Sequence, residues 1–125
     1  MKRLALFIPL SLCLLQGCGR GLDKDADPEE GVKALHTALT AWKDGKAHAE
    51  LEKMTPPIIM NEADWRSGKR LLDFKVEESA LSGRQVRCKA RIKLGGKDGK
   101  ALEQRAIYII DTTPRLVIVR DTFSS

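Results

Sequence analysis

The sequence predicts an α+β domain in which helices come first and an antiparallel sheet follows. Between residues 28 and 66, apolar residues recur at the three- and four-residue spacing of helices. From Leu71 onward they alternate with polar residues at the two-residue period of strands. Tight connections favour pairing between neighbouring strands, so we expect a four-stranded antiparallel meander covered on one face by a long N-terminal helix.

The long first helix is predicted over residues 28–44 by signals at both of its ends. Asp27 is a good N-cap, Pro28 occupies the first helical position, and Glu30 completes an acidic version of the capping box. Gly45 is expected to end the helix. Its apolar face is predicted to consist of Val32, Leu35, Ala38, Leu39 and Trp42.

Two shorter helical pieces are predicted to follow. The first covers residues 47–54 and is ended by the prolines at 56 and 57. The second is one or two turns that open at Asn61 as the cap and end near Gly68. Between them, residues 58–60 form a brief apolar run that we assign to no element.

The four predicted strands begin at Leu71, Val86, Leu102 and Leu116. The second has the clearest alternation, with apolar residues at 86, 88, 90, 92 and 94, and a glycine-rich hairpin loop follows it over 95–100. In the first strand, Leu72, Phe74 and Val76 are the apolar set. In the third, either Leu102, Ala106 and Tyr108 face the core or Ile107 and Ile109 do.

The N-terminus has the composition of a secretory signal. Two cations precede an apolar stretch over 4–15, which is shorter than the about 20 apolar residues of a membrane span. The tetrapeptide Leu15-Gln16-Gly17-Cys18 that follows resembles the bacterial lipobox. The resemblance implies cleavage between Gly17 and Cys18, with the Cys18 thiol taking the lipid and palmitate as an expected acyl group.

The implied layout is a signal peptide over 1–17, a lipidated tether over 18–27 and an α+β domain over 28–125. We therefore expect an exported lipoprotein of the cell envelope. Gly19 rather than an acidic residue follows Cys18, which by the same resemblance implies the outer membrane, facing the periplasm, in cells with two membranes. Cys13 leaves with the signal, so Cys88 is alone in the mature domain and forms no intramolecular disulfide.

The formal net charge is +5, and Lys2 and Arg3 leave with the signal. A mildly basic balance suits partners in the envelope: the membrane through the anchor, a further envelope protein, or an anionic lipid or polymer. Nucleic acid is not expected as a partner, because the sequence carries none of its binding motifs. The sequence predicts no oligomeric state.

The helix that ends Ala41-Trp42-Lys43-Asp44-Gly45, and the run Trp65-Arg66-Ser67-Gly68 that leads into the first strand, resemble the cystatin-like and nuclear-transport-factor-two-like class. The resemblance implies a long helix in the concavity of a curved sheet, with a pocket between them. That class includes exported lipoproteins, dimers paired through the sheet, and cyclase- and isomerase-like enzymes, and fold alone does not choose among these.

His36, Trp42 and Trp65 are the candidate pocket residues. His36 lies at the edge of the apolar helix face, and the two tryptophans are core anchors unless they line a pocket mouth. No catalytic set, metal site or cofactor is predicted, because His36 and His48 have no acidic or cysteine partner at ligand spacing.

A basic stripe is predicted on the polar face of the second strand: Arg87, Lys89, Arg91 and Lys93. It is either a solvated face with cross-strand ion pairs to Glu77 and Glu103, or a surface for anionic lipid, polymer or protein. Cys88 lies on the opposite, dry face as a core residue.

The function predicted from these observations is a lipid-anchored, non-enzymatic binding module for a partner protein, an envelope polymer or a small apolar ligand. The alternative is a small cyclase- or isomerase-type enzyme with a pocket between the first helix and the sheet, using His36.

Overall fold

A computed structural model describes residues 25–96 and 98–121. Its helical elements are α1 (Pro28–Lys43), a 3₁₀ helix (His48–Lys53) and α2 (Ala63–Arg66), and its strands are β1 (Ile58–Asn61), β2 (Arg70–Ser82), β3 (Gln85–Gly95), β4 (Ala101–Asp111) and β5 (Leu116–Asp121). The predicted signal peptide, and the lipobox with Cys18, lie outside the described residues. The α+β class is confirmed.

The sheet has five strands in the order β1-β5-β4-β3-β2. The prediction of a four-stranded meander was therefore wrong in strand number, because it did not include β1. The apolar run at 58–60 forms β1, which pairs in parallel with β5 and sets Ile58 opposite Leu116 and Met60 opposite Ile118. The other pairings are antiparallel. A run this short shows no period of its own, and its partner is far along the chain, which is why the sequence pattern missed it.

The Asp27 cap, the proline at the first position and the terminal glycine that predicted α1 are confirmed, but the capping box is not completed, because the Asp27 N–H donates to Thr112 Oγ1 rather than to the Glu30 side chain. The Asp27 carboxylate accepts hydrogen bonds from the backbone N–H of Glu29 at 3.0 Å and of Glu30 at 3.5 Å, and Gly45 has a φ of 85° just beyond the helix. Gly31 brings the helix close to the sheet, since a Cβ there would lie 3.2 Å from Val86 Cγ2.

The two shorter helical pieces differ in detail from the prediction. The one predicted over 47–54 is the 3₁₀ helix. Asn61 is not a cap: it ends β1, and Glu62 caps α2 by accepting from the Asp64 N–H at 3.1 Å. The chain is still extended at Asn61 because that residue pairs with Val119 of β5.

The core lies between α1 and the inner face of the sheet. It is built from the apolar helix residues and the alternating residues of β3, all nearly inaccessible: Leu35, Ala38, Leu39 and Trp42, with Val86, Cys88, Ala90, Ile92 and Leu94. The register of β4 is now decided, because Tyr108 pairs with Cys88 and points inward, whereas Ile107 and Ile109 pair with Lys89 and Arg87 on the outer face.

In β2 the predicted apolar set needs correction. Leu71 is buried and Leu72 is 39% exposed. The pairing with β3 shifts by one residue between Leu71 and Asp73, and such a bulge exchanges the faces of the residues beside it. Phe74 and Val76 pack against the core as expected.

The chain enters the domain beside two turns. Ala26 is buried, and its N–H donates to the Arg84 carbonyl at 2.9 Å. The Asp27 N–H donates to Thr112 Oγ1 at 3.0 Å. The last two residues of the predicted tether are therefore held against the β2–β3 and β4–β5 turns. In the part of the chain that is described, no helix is long and apolar enough to cross a membrane.

Candidate functional site

A groove with a volume of about 480 Å³ lies between α1 and the edge of the sheet where β1 and β5 begin. This is within the size range of small-molecule sites. We call it the α1–β1 groove, and its lining residues are Asp27, Glu29, Glu30, Lys33, Ala34, Thr37, Met54, Thr55, Pro56, Ile58 and Leu116.

The floor and the rim of the α1–β1 groove differ in polarity. Ala34, Ile58 and Leu116 are buried and form an apolar floor. Glu29, Glu30 and Lys33 are exposed at the rim, at the first turns of α1. The groove therefore offers apolar contact in its interior and charge at its mouth, a combination typical of sites that hold an apolar ligand with a polar end.

A buried ionic cluster lies where β1 and β5 end. The Tyr108 hydroxyl donates to Glu62 Oε2 at 2.6 Å, and Arg120 Nη1 lies 3.0 Å from Glu62 Oε1 and 3.0 Å from Asp64 Oδ2. Glu62 is 1% exposed. Lys69 Nζ lies 3.2 Å from Asp64 Oδ1. We use the name "ionic cluster" for Glu62, Asp64, Tyr108 and Arg120.

Burial and charge act in opposite directions on the pKa values in the ionic cluster. Burial would raise the pKa of Asp64, but hydrogen bonds from Arg120 and Lys69 outweigh it and hold that pKa below its ordinary value. Burial would lower the pKa of Arg120. The charge of Glu62, followed by the interactions with Tyr108 and Asp64, outweighs burial and raises that pKa above its ordinary value. Burial, followed by the charge of Glu62, raises the pKa of Tyr108. Asp64 and Arg120 are therefore held in their charged forms.

The chemistry of the ionic cluster is structural cross-linking. Glu62 precedes α2, Tyr108 is on β4 and Arg120 is on β5, so their bonds tie three elements together. None of the three lines the α1–β1 groove. The sequence does hold one signal for this buried cation, because the alternation of Leu116, Ile118 and Arg120 places the arginine on the dry face of β5.

The structure separates His36 from the two tryptophans. Trp42 and Trp65 are buried and stacked, with ring centroids 5.5 Å apart. Their indole N–H groups donate to the carbonyls of Lys69 and Lys46. His36 is exposed, with its ring edge-on to Phe74 at 5.6 Å. None of these three candidate pocket residues lines the α1–β1 groove.

The basic stripe lies on the outer face of β3, where acidic neighbours on both sides approach it. Arg91 lies 3.4 Å from Glu77 of β2 and 3.7 Å from Glu103 of β4, and Lys89 lies 3.9 Å from Glu78. These pairs match the interpretation of the middle of the stripe as a solvated face. The anion-facing role of Arg87, Lys89, Arg91 and Lys93 stays a prediction.

Cys88 is a free thiol in the core, and burial raises its pKa to about 11. It is therefore protonated near neutral pH and weakly nucleophilic. Across the described ranges, 25–96 and 98–121, no group of three or more histidine, cysteine, aspartate or glutamate residues is placed to hold a metal ion.

The class that the structure defines is an α+β domain with a five-stranded mixed sheet. No protein-family model and no curated protein sequence matches this chain. Among solved structures, the crystal structure of TerC co-crystallised with polyporic acid is similar over 74% of this chain and 92% of that chain, with a TM-score of 0.45 and 13% identity. A likeness at this level carries no argument about function.

Proposed function

We propose that this chain is an exported, lipid-anchored domain of the cell envelope that binds a ligand rather than catalysing a reaction. The observation that carries the proposal is the tetrapeptide Leu15-Gln16-Gly17-Cys18, which stands directly ahead of a folded domain. An acylated Cys18 would become the first residue of the mature chain and its attachment to the membrane.

The distance between anchor and domain supports this arrangement. Ala26, the first buried residue described, follows Cys18 by eight positions. An extended chain spans at most about 3.5 Å per residue, so this linker reaches about 28 Å. Two or more acyl chains hold such a domain stably, because each buried CH₂ contributes about 0.8 kcal/mol.

The ligand that the α1–β1 groove suits best is a small apolar molecule. Its buried floor consists of Ala34, Ile58 and Leu116. Half-buried Met54 and exposed Pro56, in the segment between the 3₁₀ helix and β1, extend the apolar lining. Apolar contact of this kind is non-directional and requires no positioned acid or base. A partner protein or an envelope polymer would need a larger surface than this groove offers.

The alternative, a cyclase- or isomerase-type enzyme, has weaker support. A general base needs a hydrogen-bonded partner that orients it, and within the described residues nothing hydrogen-bonds to the His36 ring. Glu62 and Tyr108 are closely placed, but they contact each other rather than an open cavity. The binding module is therefore the better-supported proposal.

The finer fold assignment, to the cystatin-like or nuclear-transport-factor-two-like class, is likewise a proposal. Two features support it: α1 packs across the sheet, and β2 has two register shifts against β3. Bulges bend a strand, and a bent long strand is expected in a sheet that curves around a helix.

The anchor is tested with Cys18→Ser, using Cys13→Ser as the matched control in the same segment. We expect Cys18→Ser to abolish palmitate labelling and release the protein from the membrane fraction, while Cys13→Ser retains both. Intact-mass analysis of the wild-type product should give a chain that begins at residue 18 with added acyl mass. A product that begins elsewhere, or that lacks acyl mass, would refute the proposal.

The groove is tested with Thr37→Phe, which places a ring in the groove lining, and with Thr40→Phe one turn further along α1 as the control. The probe is the neutral dye N-phenyl-1-naphthylamine, with the mature unacylated chain. We expect Thr37→Phe to weaken dye binding about tenfold, the factor that corresponds to about 1.4 kcal/mol. Equal binding by both variants would exclude the groove as the dye site.

A further inference from the structure

The α1–β1 groove begins where the tether joins the domain. Asp27, the last residue of the tether, is itself part of the groove lining. From Asp27 the lining follows one face of α1 through Glu30 and Ala34 to Thr37. Thr37 follows Asp27 by ten positions, and an α-helix rises about 1.5 Å per residue, so the groove is about 15 Å long.

The length and the lining of the groove suit a single acyl chain. In a bilayer, two opposed layers of acyl chains fill a hydrocarbon core about 30 Å thick, so one chain spans about 15 Å. The floor of Ala34, Ile58 and Leu116 would contact such a chain along one side. Glu30 and Lys33 are exposed at the rim, where their charged ends can stay in water while the chain lies below them.

The groove ends beside a polar depression. Thr37 and Met54 line both the groove and a second depression further along α1, which also contains the exposed residues Thr40, Asp44 and Lys46. Burying an apolar chain end against Asp44 and Lys46 would take two charged groups out of water, so the chain is expected to stop near Thr37. The groove therefore limits the length of the chain that it holds.

An acyl group on Cys18 would lie within reach of the groove mouth. Cys18 precedes Ala26 by eight positions, and Gly19 and Gly21 lie between them. A glycine-containing linker of this length has a root-mean-square end-to-end distance of about 16 Å, and it spans at most about 28 Å. Residues 19–25 carry two cations and two acids, so the reach of the tether, and not its charge, supports contact with the groove.

We infer that, when the protein is off the membrane, the α1–β1 groove holds an acyl chain carried by its own Cys18. This assignment rests on the acylation proposed above, and it gives the proposed groove a specific occupant. A half-open groove covers only part of a chain, so its intrinsic affinity is modest. A chain joined by a short linker is nevertheless present at an effective concentration of about 1 mM, which a free lipid in water does not reach.

The membrane is expected to take the chain from the groove. A bilayer surrounds every CH₂ of the chain, whereas in the groove the side of the chain near Glu30 and Lys33 stays in contact with water. The docked state therefore belongs to the protein before insertion or after release. In that state the groove would shield apolar surface that otherwise promotes association between molecules.

The test attaches one chain to the mature protein chemically, so it does not require acylation in the cell. N-dodecylmaleimide reacts with the Cys18 thiol, whereas Cys88 is buried, which raises its pKa to about 11 and keeps it protonated. Carbon-13 alanine methyl groups are the reporters: Ala34 lies on the groove floor, and Ala90 lies in the core outside the groove. The control for the tether is N-dodecylsuccinimide, added free at the protein's concentration.

We expect the attached chain to shift the Ala34 methyl resonance and to leave that of Ala90 in place. Binding of N-phenyl-1-naphthylamine should weaken about tenfold, the factor for a chain at about 1 mM that competes with an intrinsic Kd of about 0.1 mM. The Ala34 shift should persist in Thr40→Phe and disappear in Thr37→Phe, which fills the groove, with circular dichroism melting to check that both remain folded. Phosphatidylcholine nanodiscs should return Ala34 to its original position.

An Ala34 resonance that does not move on attachment would overturn the inference. An equal effect of the free dodecyl compound would overturn it as well, because an unattached lipid would then be the occupant. A shift that nanodiscs do not reverse would contradict the expected transfer to the membrane. An acylated native protein with an unmoved Ala34 refutes the docking alone, whereas a native protein without acyl mass refutes the anchor and, with it, the natural occupant.

Discussion

Two groups of charged side chains in this domain use the same residue types in opposite surroundings. In the ionic cluster, Arg120 is 16% exposed and lies 3.0 Å from both Glu62 and Asp64. On the outer face of β3, Arg91 is 45% exposed and lies 3.4 Å from Glu77 and 3.7 Å from Glu103. Each arginine bridges two carboxylates, Arg120 the two at the start of α2 and Arg91 one from each neighbouring strand, so the two groups differ chiefly in burial.

The contrast indicates that a charged side chain affects the free energy of unfolding mainly through the penalty for leaving its partner unpaired, and less through the number of its ion pairs. Water screens the outer-face pairs and solvates whichever group is left behind, so these contribute little. Water cannot solvate the Glu62 carboxylate in this way, because its side chain is 0% exposed. Removing Arg120 leaves a buried carboxylate supported by two neutral donors, the Tyr108 hydroxyl and the Asp64 backbone N–H, with no opposite charge on it.

The largest effect is expected for Arg120→Met, which keeps much of the length of the side chain but removes its charge. We expect it to lower the free energy of unfolding by about 3–5 kcal/mol, the range for breaking a buried ion pair by removal of one partner. Urea titration of the mature domain measures this. The double variant Glu62→Gln/Arg120→Met should recover part of the loss. A loss under about 1 kcal/mol for Arg120→Met would show that water reaches Glu62.

An intermediate effect is expected from pH, acting through Asp64. Burial opposes ionisation of this carboxyl, but Arg120 and Lys69 outweigh burial and hold its folded-state pKa below the ordinary value of 3.8. Its contribution is therefore complete above about pH 4 and is lost as the pH falls through the folded pKa. We expect acidification below pH 4 to reduce the stability of wild type more steeply than that of Asp64→Asn. Parallel pH profiles for the two proteins would contradict this sign.

The smallest effect is expected for Arg91→Ala on the outer face. Its ion pairs, at 3.4 Å and 3.7 Å, are solvent-exposed, so the unfolding free energy should fall by about 0–1 kcal/mol. The same urea titration at low salt and at high salt should show this small difference shrinking further as salt is added. A loss comparable to that of Arg120→Met would remove burial as the explanation of the contrast.

Elements with strong local signals were predicted well from the sequence. α1 has a cap, a proline at its first position and a glycine after its end, and it forms one residue short of the predicted bound. β3 alternates between buried and more exposed residues over its whole length, as its pattern indicated. The site was predicted less well: the groove is lined partly by Met54 and Pro56 in a link between elements, for which periodicity carries no information.

What the sequence determined by itself was therefore the order of elements, the capped helix and the wet and dry faces of β3, because these depend on neighbours within a few positions. Contacts made in the folded domain were needed to turn residues 58–61 into a fifth strand, to point Tyr108 of β4 inward and to bring Arg120 against Glu62. These outcomes depend on contacts between segments far apart in the chain or on the choice between two apolar faces. In these places, the arrangement of lowest free energy depends on which side chains can be buried together. A pattern of neighbouring residues in the sequence does not contain that information.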